Sequence, residues 1–151
     1  MSVTEQLKER QAVAFAQAQT LSNSSADTGN GINMGVLRRA RAFLITGTLT
    51  STASLNFSLQ ASATSGGSYA AITNNTTNPT LTALTTDNGL FALEIRADQM
   101  PSGKPWLKAI VTETETQNAV IALILIGDDS GYKPGNAFGT ATFTQNVVTA
   151  T

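Results

Sequence analysis

Apolar residues in this chain recur at every second position, in short runs, and that period limits what the chain can become. Leu55, Phe57 and Leu59 alternate with Asn56, Ser58 and Gln60, the pattern of a strand with one face in a core and the other in water. The run ends in Ser65-Gly66-Gly67-Ser68, residues that accept the backbone angles of a tight turn, and Tyr69 opens a returning strand. After the turn Asp87-Asn88-Gly89, residues Phe91, Leu93 and Ile95 share a face. In PWLKAIVTETET, from 105 to 116, Leu107, Ala109 and Val111 lie on one face, with Trp106, Lys108 and Ile110 on the other. Residues 81–84 form a weaker strand, and VLRRARAFLITGTLT, from 36 to 50, begins basic and ends apolar.

One run breaks the alternation. AVIALILIG, from 119 to 127, is apolar on both faces, which implies burial on both. A sandwich core receives only one face of a strand, so the second face calls for a cover: the N-terminal segment, the C-terminal segment or another subunit.

Seven or eight short strands separated by Gly, Asn and Pro turns predict an all-β chain, an antiparallel β-sandwich of jelly-roll-like form. At 151 residues it fits one domain that buries about two-thirds of its unfolded surface. Residues 1–20 form a short N-terminal helix or arm, with Ser2-x-x-Glu5 as a capping box and Leu7, Gln11, Ala14 and Ala18 at helical spacing. The apolar face of that helix is thin, so a short helix or an arm that orders only against a partner is expected rather than a core element. Residues 20–35 read as a loop or wandering edge, 21–127 as the sandwich, and 128–151 as an extended tail whose late run, 140–148, could add a strand to a neighbour.

Composition narrows function. Charged residues are 13% of the chain, the net charge is −1, and there is no Cys or His. Disulfides, thiolate or imidazole metal sites, and nucleophilic machinery built on Cys or Ser with His are excluded. No cofactor is expected, and no enzyme. The charge balance supplies no field for nucleic acid or an anionic membrane, and the longest apolar run is far short of the ~20 residues of a spanning helix. The N-terminus lacks the apolar stretch of a secretory signal, so synthesis in the cytoplasm is expected.

Taken together, LNFSLQASATSGGSYAAI, the later PWLKAIVT and the closing AVIALILIG resemble the small β-sandwich structural proteins encoded among the head and tail genes of tailed bacteriophages. In those proteins a strand like "LQ.S" leads into a "DGS.W" turn, a later strand carries "W.R..V", and an apolar strand closes the domain. The resemblance spans residues 36–127; here Ser65 stands where the turn often has Asp, and Tyr69 where it has Trp. It implies a virion component, a capsid decoration or cement protein on the outside of the shell, made in the host cytoplasm. Its partners are then the major capsid protein and further copies of itself, as homodimer or homotrimer. Tyr69 and Trp106 match the family's aromatic positions, with a structural role. A tail, neck or fibre protein is the nearest alternative; a carbohydrate-binding module using Trp106 or Tyr69 is the one from another class.

The candidate contact residues follow. Arg38, Arg39 and Arg41 are the only basic cluster, either pairing with carboxylates of a capsid protein or forming a solvated strand entry with internal partners such as Glu94. Arg39 and Arg41 share a face with Leu37, Phe43 and Ile45. Tyr132, Phe138 and Phe143 are aromatics on a polar tail, suited to anchoring, and deleting 128–151 should release the protein from its assembly without unfolding it. Val120, Ile124 and Ile126 are the oligomer-face candidates. Glu113 and Glu115 read as a solvated edge, and Asp128-Asp129-Ser130-Gly131 as a turn rather than a calcium loop.

Overall fold

The computed structural model describes residues 11–22, 26–73 and 79–128. Among the described residues, ten strands run in the order β1 (Gln11–Leu21), β2 (Ala26–Thr28), β3 (Ile32–Asn33), β4 (Arg39–Leu49), β5 (Leu55–Ser62), β6 (Ala70–Ala71), β7 (Thr80–Leu84), β8 (Leu90–Arg96), β9 (Trp106–Glu113) and β10 (Ala119–Asp128). They form two antiparallel sheets packed face to face. The first has the order β1-β10-β4-β8; in the second, β9 and β5 are central, β2 and β3 border β9, and β6 and β7 border β5. The expected all-β sandwich is the observed one.

Alternation decides the packing. Leu55, Phe57 and Leu59 of β5 and Leu107, Ala109 and Val111 of β9 are buried from one side. Ala40, Ala42 and Leu44 of β4, Ile95 of β8, and Ile121, Leu123 and Leu125 of β10 meet them from the other. Each large side chain so buried contributes roughly 1.5–3 kcal/mol of transfer free energy. Ile32, Met34 and Leu37, from the segment that borders β9 and leads into β4, plug one end of the core. The segment expected as a wandering edge is one, laid on β9 in two short pieces, β2 and β3.

Neither the short helix nor the arm ordered only by a partner is what residues 11–21 form: Gln11–Leu21 is a strand of the first sheet, paired along β10 from Gln11↔Asp128 to Leu21↔Ala119, with a bulge between Val13 and Phe15. The physical reason is the open edge of β10. A helix with a thin apolar stripe gains little by packing, whereas a strand there satisfies a row of backbone donors and acceptors. Residues 1–10 lie outside the described residues. β1 borders β10 rather than covering it, so it is not the lid expected over the second face of β10.

Candidate functional site

The outer face of the first sheet is where the sequence and the fold part from an ordinary solvated surface. On β10, Ala119, Ile121, Leu123, Leu125 and Gly127 point inward and are buried, while Val120, Ala122, Ile124 and Ile126 point outward. On β4 the outward residues are Arg39, Arg41, Phe43 and Ile45; on β8 they are Leu90, Ala92, Glu94 and Arg96. Register sets these in rows across the sheet. Ala18, Ala122, Ile45 and Leu90 form one, and Ile124, Phe43 and Ala92 the next. Then come Ile126, Arg41 and Glu94, followed by Asp128, Arg39 and Arg96.

The first two rows are wholly apolar. Leu90 is 68% exposed, Val120 45% and Ile45 42%, the large hydrophobic side chains that the described residues leave most open. At about 4.8 Å between strands and 3.3 Å per residue, the two apolar rows across β10, β4 and β8 measure on the order of 200 Å². Apolar patches of that size occur on ordinary monomers, where the largest one is often functional. The expectation that β10 is buried on both faces is corrected accordingly: one face is buried, and the other is half-buried with no cover among the described residues.

The last two rows are charged and mostly satisfied within the chain. Arg41 Nε donates to Glu94 Oε2 at 2.8 Å, Arg39 Nε lies 3.3 Å from Glu94 Oε1, and Arg41 Nη1 lies 3.7 Å from Asp128 Oδ2. The hydrogen bond from Arg41, reinforced by the charges of Arg39, Arg41 and Arg96, holds the Glu94 carboxyl below its ordinary value of 4.5, and the same bond raises Arg41. Arg96 pairs with Asp98 at 3.2 Å. Arg38, just before β4, is exposed and pairs with no acid among the described residues; with Arg39, Arg96 and Asp128 it lines an open cleft of about 390 Å³ at this end of the sheet.

No family model matches the chain, and no curated protein matches it.

Of the residues singled out in the sequence, Val120, Ile124 and Ile126 are brought together on the outer face with Arg39 and Arg41, while Arg38 stands apart at the sheet end. Tyr132, Phe138 and Phe143 lie outside the described residues. Ile45 and Leu90 are exposed apolar residues of this face outside the candidates read from the sequence, although the sequence carries a signal for both. Two exposed arginines on the face of Phe43 and Ile45 mean that this face looks outward, and Leu90 lies opposite in parity to the inward-facing Phe91.

Glu113 overturns an expectation. It is fully buried, since it continues the inward series of Leu107, Ala109 and Val111, and its two carboxylate oxygens accept the N–H groups of Glu115 at 2.8 Å and Gln117 at 3.2 Å. It organises the turn into β10, where Thr116 adopts a φ of 57°. Tyr69 is half-buried: its hydroxyl donates to Ser65 O at 3.0 Å, burial raises its pKa, and Lys108 Nζ sits 4.5 Å above its ring. One face of that ring is therefore occupied by the chain's own lysine. Among the described residues no cluster of acidic side chains could hold a metal ion.

Proposed function

We propose that this chain is a non-enzymatic virion structural protein, a capsid decoration or cement protein that binds the outside of the shell and reinforces it. One observation carries the interaction half of this reading: the apolar outer face of the first sheet, built on regular strands and bordered by a row of arginines and carboxylates. An apolar centre with a polar rim is the anatomy of a protein interface. A patch of ~200 Å² serves as the middle of a contact that buries about 800 Å² on each partner. The virion half rests on the resemblance of residues 36–127 to phage head and tail sandwich proteins.

The partners are the major capsid protein and further copies of this chain. Arginines at the rim suit carboxylates on a capsid subunit, because a planar guanidinium binds a carboxylate through two bonds at once. The deciding experiment is the copy number of the protein per purified particle, measured by quantitative mass spectrometry against the shell subunit. Hundreds of copies in fixed ratio to that subunit support a cement protein. A handful would move the chain to the tail, neck or a fibre, and absence from particles would sink the virion reading.

A further inference from the structure

The four borders of the two sheets are unequal. Among the described residues, the second sheet ends on one side in β2 and β3, of three and two residues, and on the other in β6, of two residues, and β7, where Ala83 takes a φ of 54°. Short and broken edges of this kind do not template further pairing. In the first sheet β1 carries a bulge. β8 is seven residues long, continuous and without proline, and β4 is its one strand neighbour among the described residues.

Register shows which backbone groups of β8 are open. Thr46 donates its N–H to Gly89 O and Ala97 donates to Arg38 O, both at 2.9 Å, so odd-numbered residues of this strand turn their groups to β4. Leu90, Ala92 and Glu94 turn theirs away from it. The open row stops at both ends. Arg96 already donates its N–H to Gln99 Oε1 at 2.9 Å, and Asn88, at a φ of 51°, donates to Gly47 O at 3.1 Å. On the inner side Phe91 and Leu93 are only half-buried, whereas Ile95 on the same face is fully buried.

We propose that β8 pairs with β8 of a second copy of this chain, antiparallel, about a two-fold axis at Ala92, joining the two four-stranded sheets into one. The open groups select this register. An axis at Ala92 sets Ala92 against Ala92 of the second copy and Leu90 against Glu94 of the second copy, so all three open residues of each chain exchange hydrogen bonds. An axis at Phe91 brings Glu94 opposite Asn88, and one at Leu93 brings Leu90 opposite Arg96, residues whose N–H groups are already engaged. An axis at Glu94 sets two carboxylates against each other.

The side chains fit the same axis. On the inner side Phe91 of each copy lies opposite Leu93 of the other, in the closer, non-hydrogen-bonded kind of pair, so each covers apolar surface that its own core leaves half open. On the outer side the row Ile124, Phe43 and Ala92 runs on into the same row of the second copy. Glu94 meets Leu90 of the second copy rather than a like charge, and keeps its own Arg39 and Arg41. An edge that matches itself in open groups, apolar pairs and charge is suited to an isologous contact. The pairing rests on the proposed function only in taking copies of this chain as partners, and it leaves the outer face open. Copy number per particle tests the shell reading and the experiments below test the pairing, so the two fail separately.

The chain has no cysteine, so Asp98→Cys, at an exposed position just beyond β8, gives the full-length protein a single attachment point for a spin label. Labelled chains without isotope are mixed with isotopic chains that carry no label. Amide signals of residues 86–88 in the isotopic chains should broaden, because the antiparallel register brings the end of one β8 to the start of the other. Broadening centred on Ala97–Gln99, or on Ile45 and Val120 of the outer face, or none at all, would overturn the proposal. Ala92→Pro gives a second readout, since it deletes an N–H that faces away from β4 and leaves the ladder to β4 whole. In sedimentation velocity at micromolar concentration the parent should run as two chains and the variant as one; a parent of one chain, or a variant that stays paired, would refute the pairing.

Discussion

At the scale of single residues, two carboxylates with similar sequence settings do different work. Glu113 is enclosed by the core and caps the turn to β10 through two backbone N–H groups. Removing it leaves those donors without their acceptor in a strained turn. Glu113→Ala should therefore cost about 2–4 kcal/mol in urea unfolding, while Glu115→Ala, at an exposed position, should change little. Glu94 is instead a surface carboxylate shared by Arg39 and Arg41. Its folded pKa lies below the ordinary 4.5, so its stabilising contribution is present above that value and is lost as pH falls through the lower folded one. The melting temperature of Glu94→Gln should sit slightly below that of the parent at pH 7, and the two should converge at pH 2–3; a gap that persists in acid would show that the pairing is not its source.

At the scale of elements, strands with one wet face could be read directly, because parity alone separates Leu55, Phe57 and Leu59 from their polar neighbours, and the same parity places Val120, Ile124 and Ile126 outward. Glu113 was legible too, as the next inward position after Val111; residue type, which argues against a buried carboxylate, masked it. β1 was not legible. Its alanines favour a helix intrinsically, and only the open edge of β10, a feature of the tertiary fold, turns them into a strand. The pairing of β2 and β3 with β9 is equally non-local, since three- and two-residue strands carry no period. If β1 exists to close that edge, deleting residues 1–21 should expose a flat, strongly apolar strand and drive self-association. Sedimentation velocity should then show large species from the truncated chain and none from the parent. By contrast Leu123→Ala, which empties the inner face of β10 and leaves its edge paired, should cost about 2–5 kcal/mol without aggregation of the folded state.

At the scale of the whole molecule, the two faces of the first sheet differ: the inner one makes the domain, and the outer one is the face that the proposed function gives to a partner. Stability and assembly should therefore separate by mutation. Ile45 and Leu90 are neighbours across β4 and β8, both exposed in the single chain. Glutamate at both positions takes little from the core but puts two charges in the centre of the apolar patch, where a partner would have to strip them of water. The parent chain should scatter light at two or three times its 15.7 kDa mass at micromolar concentration. The variant carrying Ile45→Glu and Leu90→Glu should scatter as a single chain while keeping its melting temperature within a few degrees, and it should fail to saturate particles stripped of the native protein. The alternative site of contact, the arginine row, predicts the reverse dependence on salt: contacts made there weaken as screening increases, whereas contacts made through the apolar rows hold or tighten. A complex that survives high salt in the parent and is lost in the double variant places the interface on the apolar rows; a parent that is a single chain at micromolar concentration removes the self-association part of the reading.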